Sequence, residues 1–97
     1  MLPMSSVAEP VVQTAAPQAR PLPPFAVVLH NDDVNEMDRV VDVLVEIVRV
    51  RLQDACTMTL EAHNDGESIV CRTHRERAEF LRDQLLSKGL TATIERI

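Results

Sequence analysis

Tyrosine and tryptophan are absent from this chain, and its 97 residues include only two phenylalanines and two glycines. The core must therefore be built from Val, Leu, Ile, Ala and Met. No aromatic platform is present on which bases could stack, and no extended basic run tracks a phosphate backbone, so nucleic acid is not expected as a partner. Two glycines cannot make a glycine-rich phosphate loop, and no G-x-S-x-G occurs. Neither Cys56 nor Cys71 has a base beside it, which argues against nucleophilic catalysis. No CxxC, HxxxH or comparable spacing links Cys56, Cys71, His30, His63 and His74, so no metal and no cofactor is expected. No apolar run approaches the roughly 18 residues that span a bilayer, and no Lys/Arg-led apolar segment opens the chain. A cytoplasmic protein without a membrane segment is expected.

The residues that are present divide the chain in two. All six prolines fall within the first 24 positions. Residues 1–23 are otherwise mostly Ala, Gln, Val and Ser, with one Glu and one Arg, and hold no sustained helical or strand period. Such a composition buries too little to offset its ordering entropy, so a disordered extension is predicted there. Residues 24–97 form one small domain that buries only about 60–65% of its unfolded surface. They carry all of the net charge of −5, which favours a cationic ligand. The two cysteines read as reduced thiols in or near the core.

Within the domain the patterning gives the order β-α-α-β-α-β. Phe25–His30 is apolar almost throughout and reads as a central strand. Asn35 is a plausible N-cap, with Glu36 and Asp38 in the first helical turn. Val40, Val41, Leu44, Ile47 and Val48 form the apolar stripe of that helix, widened by Val43. A continuous helix to His63 would be more than twice the usual length, so a break is expected between Arg49 and Asp54. Ala55, Met58, Leu60 and Ala62 mark the second helix, and Asn64-Asp65-Gly66 ends it. Glu67–Arg72 reads as a strand with either Ile69 and Cys71 or Ser68 and Val70 facing inward. Thr73, with Glu76 three residues on, has capping-box spacing for a helix to Ser87 that buries Ala78, Leu81, Leu85 and Phe80. Lys88-Gly89 stops it, and Leu90–Ile97 closes the chain as a strand. The fold class is α+β: a three-stranded, mostly antiparallel sheet with three helices on one face.

Two places hold candidate chemistry. Asn31, Asp32 and Asp33, with Asn35 nearby, lie at the mouth of the first strand-to-helix turn. They either satisfy that turn's own backbone or clamp a cation such as an ammonium. Adjacent Asp32 and Asp33 diverge and do not suit a shared-proton dyad. His63, at a helix C-terminus, either caps the helix or offers a ring nitrogen as an acceptor.

The run V-L-H-N-D-D-V-N-E-M-D-R-V-V-D-V-L, followed by Ala55 and L-E-A-H-N-D-G, resembles the ClpS adaptor family. The likeness covers Phe25–Ile97. N-D-D after the first strand, Met37 three residues before Val40, and His63 three before Gly66 are jointly specific. The resemblance implies a non-enzymatic adaptor that captures proteins with a bulky hydrophobic first residue. It would hand these N-degron cargoes to the N-terminal domain of a ClpA- or ClpC-like AAA+ unfoldase, with residues 1–23 as a flexible arm in the hand-over. A monomer is expected. By position, Asn31 and His63 would bind the cargo's α-amino group. Asp32 would add a carboxylate, and Asn35, where the family usually has Thr, would contact backbone.

Met37, Val40, Thr59, Ala62 and Leu90 would form the side-chain pocket, and Glu76 would face the unfoldase. Thr59 stands where Met is common, Ala62 where Val is common, Val34 where Tyr is frequent and Leu81 where Lys is usual. The first two imply a wider pocket. The same fold could instead serve as a protein–protein interaction domain that docks on a large assembly without reading N-termini. Asn31, Asp32 and His63 together favour the first reading.

Overall fold

The computed structural model describes residues 23–97. The expected extension lies outside the described residues except for Pro23. Three strands, β1 (Phe25–His30), β2 (Glu67–Thr73) and β3 (Thr91–Arg96), form one sheet in the order β2-β1-β3, with both pairings antiparallel. The helices are α1 (Met37–Val43), α2 (Leu52–Asp65) and α3 (Arg75–Ser87). α1 runs on through a wider π turn, Leu44–Val48. The expected β-α-α-β-α-β order and α+β class are those observed.

β1 is central because its side chains are apolar on both faces. Val27 and Leu29 point into the core beneath the helices, while Ala26 and Val28 are equally buried on the other face, flanked by Arg72, Glu95, Ile69 and Thr93. On β2 the inward pair is Ser68 and Val70. The register with β1 slips between Val27 and Val28, so Val70 forms a bulge. Leu44, Leu81 and Leu85 meet Leu29 in the deepest layer. Truncating a leucine of this kind to alanine typically costs 2–5 kcal/mol.

The expected interruption between the first two helices is present, but no Gly or Pro makes it. The π turn closes with the Arg49 N–H donating to the Leu44 carbonyl at 3.1 Å, and Arg49 itself is left-handed at φ 69°. A widened turn adds a residue to the helix circumference and so rotates the stripe. Val43 joins Val40, Leu44 and Val48 in the core, while Val41 and Ile47 are only half-buried. α2 then starts from Arg51 as N-cap, with Asp54 in its first turn.

Other local expectations yield to packing. Glu36 rather than Asn35 is the N-cap of α1, and it makes no side-chain capping bond. Thr73 is drawn into β2 opposite Phe25, so His74 caps α3, its Nδ1 accepting from the Arg77 N–H at 3.2 Å. Phe80 is 58% exposed, because Ala78, Leu81 and Leu85 already fill the buried arc of α3. Leu60 and Cys56 lie on the outer side of α2; Cys56 is an exposed free thiol, not a core one, and Cys71 is half-buried. Among the described residues no helix is long and apolar enough to cross a membrane.

The left-handed position of Arg49 gives a clear test. A non-glycine residue there carries a penalty on the order of 1 kcal/mol. Arg49→Gly is expected to hold or raise unfolding stability by up to about 1 kcal/mol, the unfolded-chain entropy of glycine offsetting part of the relief. Arg49→Val, β-branched at the same φ, is expected to lower it by more than about 1 kcal/mol. Urea melts of the three proteins decide the order.

Candidate functional site

Three local devices fix the chain as it leaves β1. First, the Asn31 N–H donates to the Gly66 carbonyl at 2.9 Å. Gly66 ends α2 at φ 94°, a left-handed conformation open to glycine, with its own N–H on the Ala62 carbonyl at 2.9 Å. The end of β1 is thereby tied to the end of α2, and Asn31 shares a cleft with His63. Second, Asp32 closes a turn on itself: Oδ1 accepts from the backbone N–H groups of Val34 (2.9 Å) and Asn35 (2.8 Å). Third, the Asn35 amide Nδ2 donates to the Gly89 carbonyl at 2.8 Å and faces Asp32 Oδ2 at 3.2 Å. Asn35 Oδ1 accepts from Arg39 Nε at 3.2 Å, and Arg39 Nη2 donates to the Lys88 carbonyl.

These bonds set the charge of the loop. Burial opposes ionisation of Asp32 and is the largest single influence on it, but the hydrogen bonds from Asn35 and from the Val34 N–H together outweigh it. Its carboxyl is held below the ordinary aspartate value. Asp32 is therefore an anion at neutral pH, with Oδ2 less fully engaged than Oδ1. By contrast, no hydrogen bond among the described residues engages the side chains of Asn31 or His63. Asp32 thus satisfies its own turn and still presents a carboxylate to the cleft.

The cleft has a volume of about 380 Å³. Asn31, Asp32, Asn35 and His63 line it, together with Met37, Val40, Thr59 and Ala62. Val40, Thr59 and Ala62 are buried, whereas Met37 is 39% exposed at the edge. The cleft thus combines polar and anionic groups with an apolar wall, as a ligand with a cationic head and an apolar side chain requires. The Thr59 hydroxyl donates to the Ala55 carbonyl at 2.8 Å within its own helix. The position is polar in name, but its hydroxyl is already satisfied.

Leu90 is not part of this lining. It is 2% exposed in the core, where its N–H closes the end of α3 on the Leu85 carbonyl at 3.1 Å. Leu81, equally enclosed, has no surface to offer a partner, while Glu76 is exposed in the first turn of α3. Leu29, His30, Asp33 and Glu36 also line the cleft. Asp33 was visible in the acidic cluster. Leu29 and His30 read only as strand, and their part in the cleft follows from the chain turning back over the end of β1.

Asp32 supplies a second test. Asp32→Ala removes the acceptor of two backbone N–H groups and is expected to lower stability by roughly 1–2 kcal/mol. Asp32→Asn keeps an acceptor but never ionises. Because the folded-state pKa is depressed, the stabilisation from the carboxylate is full above the unfolded value of about 3.9 and is lost as pH falls through the folded one. The native protein is therefore expected to be the more stable of the two at pH 7, with the gap closing towards pH 3 in denaturant melts.

With this geometry in hand, comparison with known proteins is direct. The model of the family described as ATP-dependent Clp protease adaptor protein ClpS matches residues 20–93. The ATP-dependent Clp protease adapter protein ClpS of Prochlorococcus marinus is 43% identical over 75 residues, covering 76% of this chain and 71% of that one. The ClpS of Gloeobacter violaceus is 38% identical over 79 residues, covering 80% of this chain and 85% of that one. Among solved structures, Agrobacterium tumefaciens ClpS2 bound to L-phenylalaninamide superposes with a TM-score of 0.68 at 25% identity. It covers 77% of this chain and 98% of that one. The chain therefore belongs to the ClpS family of Clp protease adaptors, and it is an adaptor and not an enzyme.

Proposed function

We propose that the cleft reads the N-terminus of cargo proteins, taking a free α-amino group at its polar end and a bulky hydrophobic first side chain at its apolar end. The observation that carries this reading is the junction, in one cleft, of an ionised Asp32, the side chains of Asn31 and His63, which no hydrogen bond engages among the described residues, and an apolar wall from Val40, Thr59 and Ala62. The A. tumefaciens relative supports it, since its ligand carries a free amine, an aromatic side chain and an amide in place of the next peptide bond. Cargo held this way passes to the N-terminal domain of a ClpA- or ClpC-like unfoldase, with Glu76 on the facing helix and residues 1–23 as the arm.

The energetics suit a carrier. An α-amino group has a pKa of about 7.7–8.0 and is mostly an ammonium at pH 7. Each charge-assisted hydrogen bond contributes about 1.5–3 kcal/mol, and burying a Leu or Phe side chain adds roughly as much again. Lost rigid-body and chain freedom offsets much of this, which leaves an affinity on the order of micromolar. Such cargo is held and still released.

Equilibrium binding of labelled peptides that differ only in the first residue (Phe, Leu, Trp, Tyr, Ile, Val or Ala) tests the reading. Bulky free N-termini are expected to bind and Ala is not. With Thr59 and Ala62 smaller than the residues usual at those positions, the largest aromatic side chains are expected to rank high. Acetylated Leu, which has lost charge and donors together, is expected not to bind. If acetylation is harmless, or no peptide binds, the domain docks without reading N-termini and the proposal fails.

His63 supplies a further check. If its ring nitrogen accepts from the ammonium, His63→Phe, which keeps a ring and removes the acceptor, is expected to lower affinity about tenfold in the same peptide titration. Unchanged affinity would remove His63 from that role.

A further inference from the structure

The loop that carries Asp32 is held at both ends, and the second anchor lies far away in sequence. Asn35 has two amide hydrogens and one carbonyl oxygen to offer. One hydrogen goes to the Gly89 carbonyl (2.8 Å), the other faces the Asp32 carboxylate (3.2 Å to Oδ2, 3.4 Å to Oδ1), and the oxygen receives Arg39 Nε (3.2 Å). The side chain has no free donor left. A hydrogen bond donated by Asn35 to a substrate would have to break one of these bonds, which sets this residue apart from a donor to the cargo backbone.

The receiving turn is built to accept them. α3 ends with the Gly89 N–H on the Leu86 carbonyl (2.9 Å) and the Leu90 N–H on the Leu85 carbonyl (3.1 Å), with Gly89 left-handed at φ 86°. That closure leaves the carbonyls of Lys88 and Gly89 as acceptors. Arg39 takes the first and Asn35 the second, and the Lys88 ammonium lies 3.6 Å from Glu46. Asn35, just before α1, and Arg39, in its first turn, thus grip neighbouring carbonyls of one distant turn.

We infer that Asn35 and Arg39 are positioning residues, a clamp that fastens the Asp32 loop to the turn closing α3 and so sets where the carboxylate meets the cargo amine. They act through Asp32 and do not touch the cargo. The effect on cargo rests on the amine-reading function proposed above. The effect on Asp32 does not, and this separates the two in experiment.

The test uses the full chain, with two measurements on the native protein, Asn35→Ala, Arg39→Ala and Arg39→Lys. Carboxyl-detected NMR follows the titration of Asp32 without ligand. Fluorescence anisotropy follows labelled peptides beginning with Phe, Leu and Trp. In Asn35→Ala the Asp32 midpoint is expected to rise, because a hydrogen-bond donor to the anion is gone. Affinity is expected to fall about tenfold for all three peptides with their rank order kept. Arg39→Ala is expected to move both readouts in the same direction by less, and Arg39→Lys to restore part of the loss. An unmoved Asp32 midpoint in Asn35→Ala overturns the clamp. So does a changed rank order of the peptides, which would place Asn35 at the cargo itself. If no peptide binds the native protein, the amine-reading proposal fails, and the Asp32 titration still decides the clamp.

Discussion

β1 is hydrogen-bonded to a neighbour along both edges and buried on both faces, and the rest of the molecule takes its position from that. A strand so enclosed cannot change register without moving its apolar set out of the core. Its last residues are therefore fixed points, and the polar loop begins from one of them. The Asn31 to Gly66 bond extends the constraint by one residue and joins it to the end of α2. Residues more than thirty positions apart in sequence, Asn31 and His63, share a cleft because both lie beside the same short connection.

A division of labour follows among the polar groups. Those that build the loop are engaged with one another: Asp32 Oδ1 with backbone N–H groups, Asn35 with Gly89 and Arg39. Those that line the cleft with no side-chain hydrogen bond among the described residues, Asn31 and His63, are exposed. Preorganisation of this kind limits the cost of binding, since the ordering is already done in the free protein. Thr59 follows the same logic at the apolar end, where its hydroxyl bonds back to its own helix.

The elements that sequence reading placed correctly are those whose causes are local. The apolar run of β1, the Asn-Asp-Gly stop of α2 and the Gly89 stop of α3 each announce themselves within a few residues. The misplacements all involve competition from elsewhere in the chain. Thr73 has the chemistry of a cap, but sheet pairing with Phe25 claims it and leaves capping to His74. Asn35 has it too, and is drawn instead to a carbonyl 54 positions away. Arg49 adopts a left-handed φ without the glycine that would have signalled it, and the π turn before it has no marker in composition. Leu90 carries the right hydrophobicity for a pocket wall, but the end of α3 folds it inward. The polar half of the site was therefore more legible than the apolar half. Turn residues declare their position locally, whereas a wall is defined only by what packs behind it.

The bulge at Val70 bears on how such an adaptor treats the proteins it serves. Chains presented for proteolysis carry extended apolar segments, which add readily to any flat, open strand. β2 and β3 form the two margins of this sheet. β2 is kinked at Val70 and carries Glu67 and Arg72, while β3 ends in Glu95 and Arg96. A kinked or charged margin is a poor template for strand addition. With the cleft reading N-termini as proposed, discrimination would have two parts, a cleft that admits one chemical end of a chain and a sheet border that discourages its middle.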